Sequence, residues 1–540
     1  PPIDRDEARF AQASRQMFES LALPQAEQDP ARHAGGLVVP MVQDAERLNK
    51  PPLIYWLQTA SAWALTRGDP AADAIWMYRL PSVFGSMLAV LATWRIGLSM
   101  FDRRAAWLGA ALLGVSAVVV FDAHQARADQ VLLGLTTAAM AALWAVARRS
   151  AYGRRVGPWR WLALWLLVGL GLLVKGLSPV VVLLTITAFC AASGSWSLWR
   201  SAKPLLGLLI VAVVAAPWIV GVINHVGWET YSAILFDETV ARGKAPKEGH
   251  AGPPGYHTLM LLAAFWPGSL LVAPGLVRGW RRAIAFGPRG SRWRGRVVGR
   301  RAELFLLAWI LPTWVFFEVY STKLPHYVLP TYPAIALLTG RAALSVRAWA
   351  PAWLRRVNAA MFLAVAIAVA VVGVLATQIE IAEPPALALV LPLAAVFIAL
   401  AGAGAALAWQ GRRVRGLAIG ASAILPLAVV VHAVVLPRLT SFSPELVAML
   451  AEFDDGSRPI ACAGYHEDSL IFLTRGRIER VRHTDAADWL RENPGGLMLA
   501  RRLYKAEGGL GDSPVLASAT GYQFASNDVV IVDFIERVPR

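Results

Sequence analysis

The sequence predicts an all-α, polytopic membrane protein with a small α/β domain at its carboxy terminus, and three observations predict it. Hydrophobic residues fill 56% of the 540 positions and charged residues only 16%, against roughly 25% charged in an ordinary soluble domain. Apolar stretches near the length that crosses a bilayer recur through most of the chain. After about Thr440 that pattern gives way to short apolar runs alternating with helical stretches, as a small mixed domain would show.

The formal net charge is +16. Most of the arginines lie in short loops between apolar runs, the distribution the positive-inside rule produces. The basic balance therefore reads as topology, and no nucleic-acid partner is expected. Many of the 22 tryptophans flank the apolar runs, where interfacial belts form. The two cysteines, Cys190 and Cys462, are far apart and form no CxxC pair, so neither a disulfide nor a cysteine metal site is expected.

In chain order, residues 1–50 are polar. Pro51 to Thr66 is too short and too polar-flanked for a span and reads as a helix lying in the membrane interface. About twelve spans follow, centred near Leu88, Leu113, Ala139, Leu167, Leu183, Val213, Ala264, Trp309, Ala336, Val365, Leu393 and Leu425. One set of loops is basic: Arg103-Arg104, Arg148 to Arg160, Arg200 to Lys203, Arg278 to Arg301, Arg341 to Arg356 and Arg412-Arg413. The other set holds Asp129, Lys175, the long loop of residues 224–255, Ser321 to His326 and Thr377 to Pro385. By the positive-inside rule the first set is cytoplasmic and the second faces outward, with both polar ends of the chain. The expected domains are 1–439, a membrane domain with outer-face segments 1–66 and 224–255, and 440–540, an outer α/β domain.

Six strings could carry chemistry, and all fall on that outer face. Asp4-Arg5-Asp6-Glu7-Ala8-Arg9 opens an amphipathic helix through Phe10, Met17, Phe18 and Leu21. Acidic residues there suit a helix N-terminus, and a carboxylate pair beside arginines also suits a general base near an anion site. Leu48-Asn49-Lys50-Pro51-Pro52 sets an ammonium at headgroup depth, as a snorkelling lysine or a lipid-phosphate contact. Arg127-Ala128-Asp129 puts a carboxylate at the mouth of two spans, where it is a helix cap or a functional acid. Lys175 in Val174-Lys175-Gly176 adds a cation between two apolar runs. The loop Glu248 to His257, leading into Phe265-Trp266-Pro267-Gly268-Ser269, and Ser321-Thr322-Lys323-Leu324-Pro325-His326-Tyr327 complete the group. Gly169-Leu170-Gly171 lies inside an apolar span with no strand before it, so it is no nucleotide loop.

Together the strings DRDEARFA, NKPPLIYWL, ARADQ, KGLSP, GHAGPPGY with FWPGS, and STKLPHYVLP resemble, in order, the GT-C glycosyltransferases of the protein O-mannosyltransferase and aminoarabinose transferase superfamily. They cover roughly the first 340 residues. The stretch Gln43 to Gln58 resembles bacterial members in particular. The resemblance implies an inverting glycosyltransferase of a bacterial inner membrane. Its donor is a sugar on polyprenyl phosphate, usually undecaprenyl phosphate, and its acceptor a lipid, glycan or protein, met on the periplasmic face. It implies catalytic roles for Asp6, as base, with Glu7 and Asp129. Arg9 and Lys50 become donor-phosphate contacts, as do Lys175 and Lys323 by their charge, and Tyr55, His250 and Tyr327 line the cavity. No cofactor is required by this reading, although one branch holds a metal with a glutamate, here Asn49, and a later histidine, which leaves a divalent metal near His250 open. Family members also carry one further span ahead of the acidic pair, so a helix is expected before Pro1.

The chemistry agrees with the resemblance. A polyprenyl-phosphate sugar leaves a charged phosphate, which needs cations where that charge develops, and an acceptor hydroxyl needs a carboxylate to take its proton. The alternative is a membrane transporter or lipid flippase. Such proteins often show internal repeats and mid-membrane charges, whereas here no repeat is evident and the charges gather at one face.

Overall fold

The structure is a computed structural model and describes residues 2–3, 6–151, 153–176, 178–245, 251–284, 301–347, 350–378, 387–524, 526 and 528–536. All twelve predicted span centres fall within helices. Among the described residues seven helices are long and apolar enough to cross a membrane, or nine if each of two sharply bent pairs counts as one span. Two apolar helices, Pro158–Leu172 and Ser178–Ser193, are shorter, and Ala336 lies in the 12-residue helix Tyr332–Ala343. Many outward side chains on these helices are large and apolar, among them Phe84, Leu91, Leu205 and Val213. Such a surface is costly in water and natural against lipid tails. The chain is a multi-pass membrane protein.

Four helices position the charged strings. Helix α1 (Asp6–Ala22) opens on two acidic residues that favour its N-terminal dipole. It buries Phe10, Ala13, Met17 and Phe18 at helical spacing, while Leu21 stays exposed. Helix α2 (Leu53–Thr66) is the predicted short helix and ends at Arg67 in the left-handed conformation. The α1–α2 seam is partly polar: Ser14 donates to Gln58 Oε1 (2.6 Å) and Thr59 to the Ser14 carbonyl (2.9 Å). Before α2, a two-residue hairpin pairs β1 (Met41–Val42) with β2 (Ala45–Glu46) and delivers Arg47 to the site. Helices α3 (Ile75–Met100) and α4 (Asp129–Ala151) cross almost backbone to backbone. A Cβ on Gly85 would stand 2.5 Å from the Gln130 carbonyl oxygen, and one on Gly134 would stand 2.5 Å from that of Gly85. Small residues at such crossings let membrane helices pack without a hydrophobic driving force.

Contacts among the loops sort into the two predicted sets. Arg341 pairs with Asp102 (2.8 Å) and Ser201 bonds Ser150 (2.9 Å), while Lys175 pairs with Asp129 (2.6 Å) and Tyr320 bonds the Thr239 carbonyl (2.7 Å). Helix α4 runs from one set to the other. Its 23 residues, at about 1.5 Å each, span about 34 Å, the thickness of a hydrocarbon core.

The carboxy-terminal segment forms the expected mixed domain. Its sheet has the order β4-β3-β5-β7-β6, with β3 (Ile460–Ala463), β4 (Glu479–Val481), β5 (Leu497–Arg501), β6 (Val515–Gln523) and β7 (Asp528–Ile535). β3 pairs in parallel with β4 and β5, and β7 runs antiparallel to β5 and β6. The predicted helical stretches appear as Phe442–Phe453 and Ala486–Glu492. This domain grips α1 and its neighbours. The Arg15 guanidinium lies 3.7 Å from the Phe472 ring centroid, Gln43 donates to the Ile478 carbonyl, and Arg475 pairs with Asp73 (2.8 Å).

Candidate active site

The N-terminal turn of α1, the segment that follows the β1–β2 hairpin, the mouth of α4 and the segments 231–239 and 324–330 converge on a cavity of about 480 Å³. That volume suits a small ligand. Asp6, Glu7, Arg9, Lys50, Asp129, Lys175 and Tyr327 line it, so seven of the ten side chains singled out from the sequence meet here. Phe10, Trp218, Phe317 and Tyr320 supply apolar wall.

The centre of the charge network is a residue to which the sequence reading gave no role. Arg127 stands between the two candidate acids, 3.3 Å from Asp6 Oδ2 and 3.9 Å from Asp129 Oδ2. Asp129 also pairs with Lys175 (2.6 Å) and lies 3.7 Å from His326 Nε2. Arg47 approaches the other Asp6 oxygen at 3.8 Å. Burial pushes the Asp6 carboxyl up, but the charges of Arg127, Arg47 and Lys50 outweigh it and hold the group below its ordinary value of 3.8. Asp6 is therefore an anion at neutral pH, with a side chain 54% exposed towards the cavity. Burial, with the charges of Lys175 and Arg127, pulls His326 down to about 3, so its imidazole is neutral there.

The neighbouring acid does something else. One residue along a helix turns the side chain by about 100°, so Glu7, although it borders the cavity, is buried among protein groups while Asp6 stands open to it. Glu7 is 1% exposed. Arg79 donates to both its oxygens (2.8 and 3.0 Å), Ala126 N–H to Oε1 (2.9 Å) and Ile3 N–H to Oε2 (2.6 Å). With both oxygens taken, Glu7 fastens α1 to α3 and to the loop before α4.

Two predicted contacts lie off the cavity wall. Lys323 is buried against the Glu318 carbonyl and carboxylate, at 2.6 and 2.9 Å. Tyr55 is fully buried, packs on Phe10, and accepts from Arg47 Nε (3.1 Å). It therefore orients Arg47 without lining the site. Lys50 does reach the wall, paired with Glu238 at 3.3 Å. His250 lies outside the described residues. Among the described residues no three His, Cys, Asp or Glu side chains gather as a metal site, and Asn49 offers one buried neutral oxygen. The described side chains do not make a ligand set, and the chemistry proposed below uses none.

Arg9 joins the cavity to the carboxy-terminal domain: its Nε meets Asp468 at 2.7 Å, and Arg480 holds the other Asp468 oxygen at 2.6 Å. Phe524, at the β6–β7 turn, also reaches the cavity lining. Replacing Asp468 with alanine should weaken the docking of that domain by about 2 kcal/mol, the scale of a charge-assisted hydrogen bond. Faster proteolytic release of the domain from the membrane part would show it, and unchanged release would contradict it.

Residues 49–220 match a family described as dolichyl-phosphate-mannose-protein mannosyltransferase. The chain is 26% identical over 348 residues to an undecaprenyl phosphate-alpha-4-amino-4-deoxy-L-arabinose arabinosyl transferase of Erwinia tasmaniensis, which covers 63% of this chain and 55% of that protein. A protein from Sodalis glossinidius named as arabinosyl transferase 2 of the same kind is 26% identical over 343 residues, again covering 63% and 55%. The chain thus spans about half the length of the curated relatives it matches. The crystal structure of ArnT from Cupriavidus metallidurans in the apo state superposes with a TM-score of 0.72 at 18% identity, covering 100% of this chain and 95% of that one. This chain has the GT-C fold of the aminoarabinose transferases. The undecaprenyl phosphate-bound form of the same ArnT superposes at 0.70 with 19% identity, covering 98% and 94%. The superposition takes in the membrane helices and the small carboxy-terminal domain alike.

Proposed function

We propose that this protein is an inverting glycosyltransferase that takes a sugar from a polyprenyl phosphate, such as undecaprenyl phosphate, on the periplasmic side of a bacterial inner membrane. The observation that carries the reading is the pairing of an exposed, ionised Asp6 with Arg127, Arg47, Lys50 and Lys175 around one cavity with an apolar wall. The relatives named for undecaprenyl-phosphate arabinosyl transfer support the donor class. The separation of this cavity from the arginine-rich loops by the length of α4 supports its sidedness.

In this reading the acceptor hydroxyl or phosphate sits against Asp6, which orients it and takes the proton of a hydroxyl as its oxygen attacks the anomeric carbon. The bond to the carrier phosphate breaks, and the charge left on that phosphate is stabilised by the cations of the wall. A carboxylate held low by three cations is a weak base. When the donor phosphate enters, its charge offsets theirs, and the basicity of Asp6 rises at the moment it is needed. Asp129, clamped by Lys175 and next to Arg127, fixes the positions of those two cations. Glu7 is assigned to holding α1 and Arg9 to the domain contact.

Donor binding tests this separately from turnover. Undecaprenyl phosphate should bind the reconstituted protein, and Lys50→Ala should weaken that binding by about thirtyfold or more, since truncating one partner of a hydrogen-bonded charge pair costs about 2 kcal/mol or more. Binding indifferent to Lys50→Ala would remove the donor-phosphate assignment.

A further inference from the structure

At the opposite, basic end of the molecule lies a second, smaller cavity, and it plays no part in the chemistry above. It is bounded by Arg347, Arg355, Arg413, Trp409, Leu270 and Leu271. We infer that this pocket binds the phosphate of an anionic phospholipid headgroup.

The charge balance carries the argument. Arg355 and Arg413 make no ion pair with a carboxylate among the described residues, and the stretches 341–356 and 409–416 contain no Asp or Glu at all. Arg355 Nε is buried with no hydrogen-bond partner among the described residues, and Arg413 spends one donor on the Ser345 carbonyl. Gathering guanidinium groups around one hollow at the ends of membrane helices is unfavourable unless an anion joins them. Guanidinium forks match phosphate oxygens in shape as well as charge.

Size and surroundings narrow the ligand. The cavity volume is about 40 Å³, and one water-sized centre needs about 10–15 Å³. It therefore holds the oxygens of one phosphate and excludes a sugar. The wall beside the arginines is apolar, and Trp409, over which Arg355 lies at 5.1 Å, is 46% exposed where the helix ends. Tryptophan at that depth sits among headgroups. An apolar wall and an interfacial tryptophan fit a lipid better than a free ion, and basic pockets between membrane helices are a known form of headgroup site.

The test is native mass spectrometry of the full chain released from nanodiscs that mix phosphatidylglycerol with phosphatidylcholine. Wild type should retain phosphatidylglycerol in preference, one molecule at this site. Arg355→Gln with Arg413→Gln should weaken retention by about thirtyfold, at the usual contribution of a basic residue near an anionic surface. Arg103→Gln with Arg104→Gln, which removes the same charge from another basic loop, should leave retention unchanged. Equal loss in both double variants would mean diffuse attraction to the surface and would overturn the site. Displacement of the lipid by millimolar inorganic phosphate would show a free-phosphate site and overturn the lipid assignment. Arg355→Lys with Arg413→Lys keeps the charge and guards against misfolding; it should retain lipid at an intermediate level. Wild type without any preference for phosphatidylglycerol would end the proposal by itself.

Discussion

Asp6→Asn should lower the transfer rate by on the order of 10²- to 10⁴-fold, the usual contribution of a positioned general base. The substitution keeps the shape of the side chain and its contact with Arg127, and removes the charge that accepts a proton. The variant should therefore fold normally and bind undecaprenyl phosphate normally. Because the cations around Asp6 outweigh burial and set its carboxyl below 3.8, the free-enzyme pH profile has a definite sign. Asp6 is ionised at every pH above its lowered value, so kcat/KM should not fall from its protonation until the pH drops below the ordinary carboxylate range. A profile of kcat/KM against pH for wild type checks this. An acid limb well above pH 4 would mean that another group, or an Asp6 with far less help from Arg127, acts as the base.

Glu7→Ala should produce the largest loss of stability, about 3 kcal/mol or more. It removes the carboxylate that both Arg79 contacts reach and takes the acceptor from two backbone N–H groups, and removing one member of a buried pair typically costs about 3–5 kcal/mol. Arg79 is 25% exposed on its side chain, so water recovers part of the cost and the lower end of that range applies. Thermal unfolding in detergent would measure it. Glu7→Gln separates holding from catalysis: its single amide oxygen keeps an acceptor for one of the Ala126 and Ile3 N–H groups, which bond to different Glu7 oxygens, so it holds α1 less well than Glu7, yet the folded fraction should keep transfer within about tenfold of wild type. A well-folded Glu7→Gln that is as inactive as Asp6→Asn would make Glu7 a catalytic residue after all.

Adjacent carboxylates with opposite fates show where sequence reading stops. The amphipathic spacing of Phe10, Met17 and Phe18 was enough to place α1, and the acidic pair at its start was legible as a helix N-terminus. Which of the two acids faces the cavity depends on what α1 packs against, and that is fixed by Arg79 and Ala126, 72 and 119 residues away. Charge also misleads by context. Lys323 reads as a donor contact in a string, yet Glu318, five residues earlier, captures it. Arg47 and Arg127 sit in polar loops, where an arginine reads as solvated or topological, and only the fold sets both beside Asp6. Arg127 lies two residues before Asp129, and that proximity was the available signal. The spans were legible because lipid contact demands unbroken apolar stretches, but bends and short helices such as Pro158–Leu172 are tertiary outcomes that hydropathy does not record. The grip of the carboxy-terminal domain on Arg9 through Asp468 had no local signature.

The most direct measurement is the release of undecaprenyl phosphate from a panel of radiolabelled undecaprenyl-phosphate sugars by the full-length protein in liposomes, with Asp6→Asn alongside. The expected result is that wild type consumes one donor and that Asp6→Asn, folded and still binding undecaprenyl phosphate, does not. Wild type that binds undecaprenyl phosphate yet consumes no donor with any acceptor would contradict the glycosyltransferase reading and leave a lipid-binding membrane protein that moves its ligand without cleaving it.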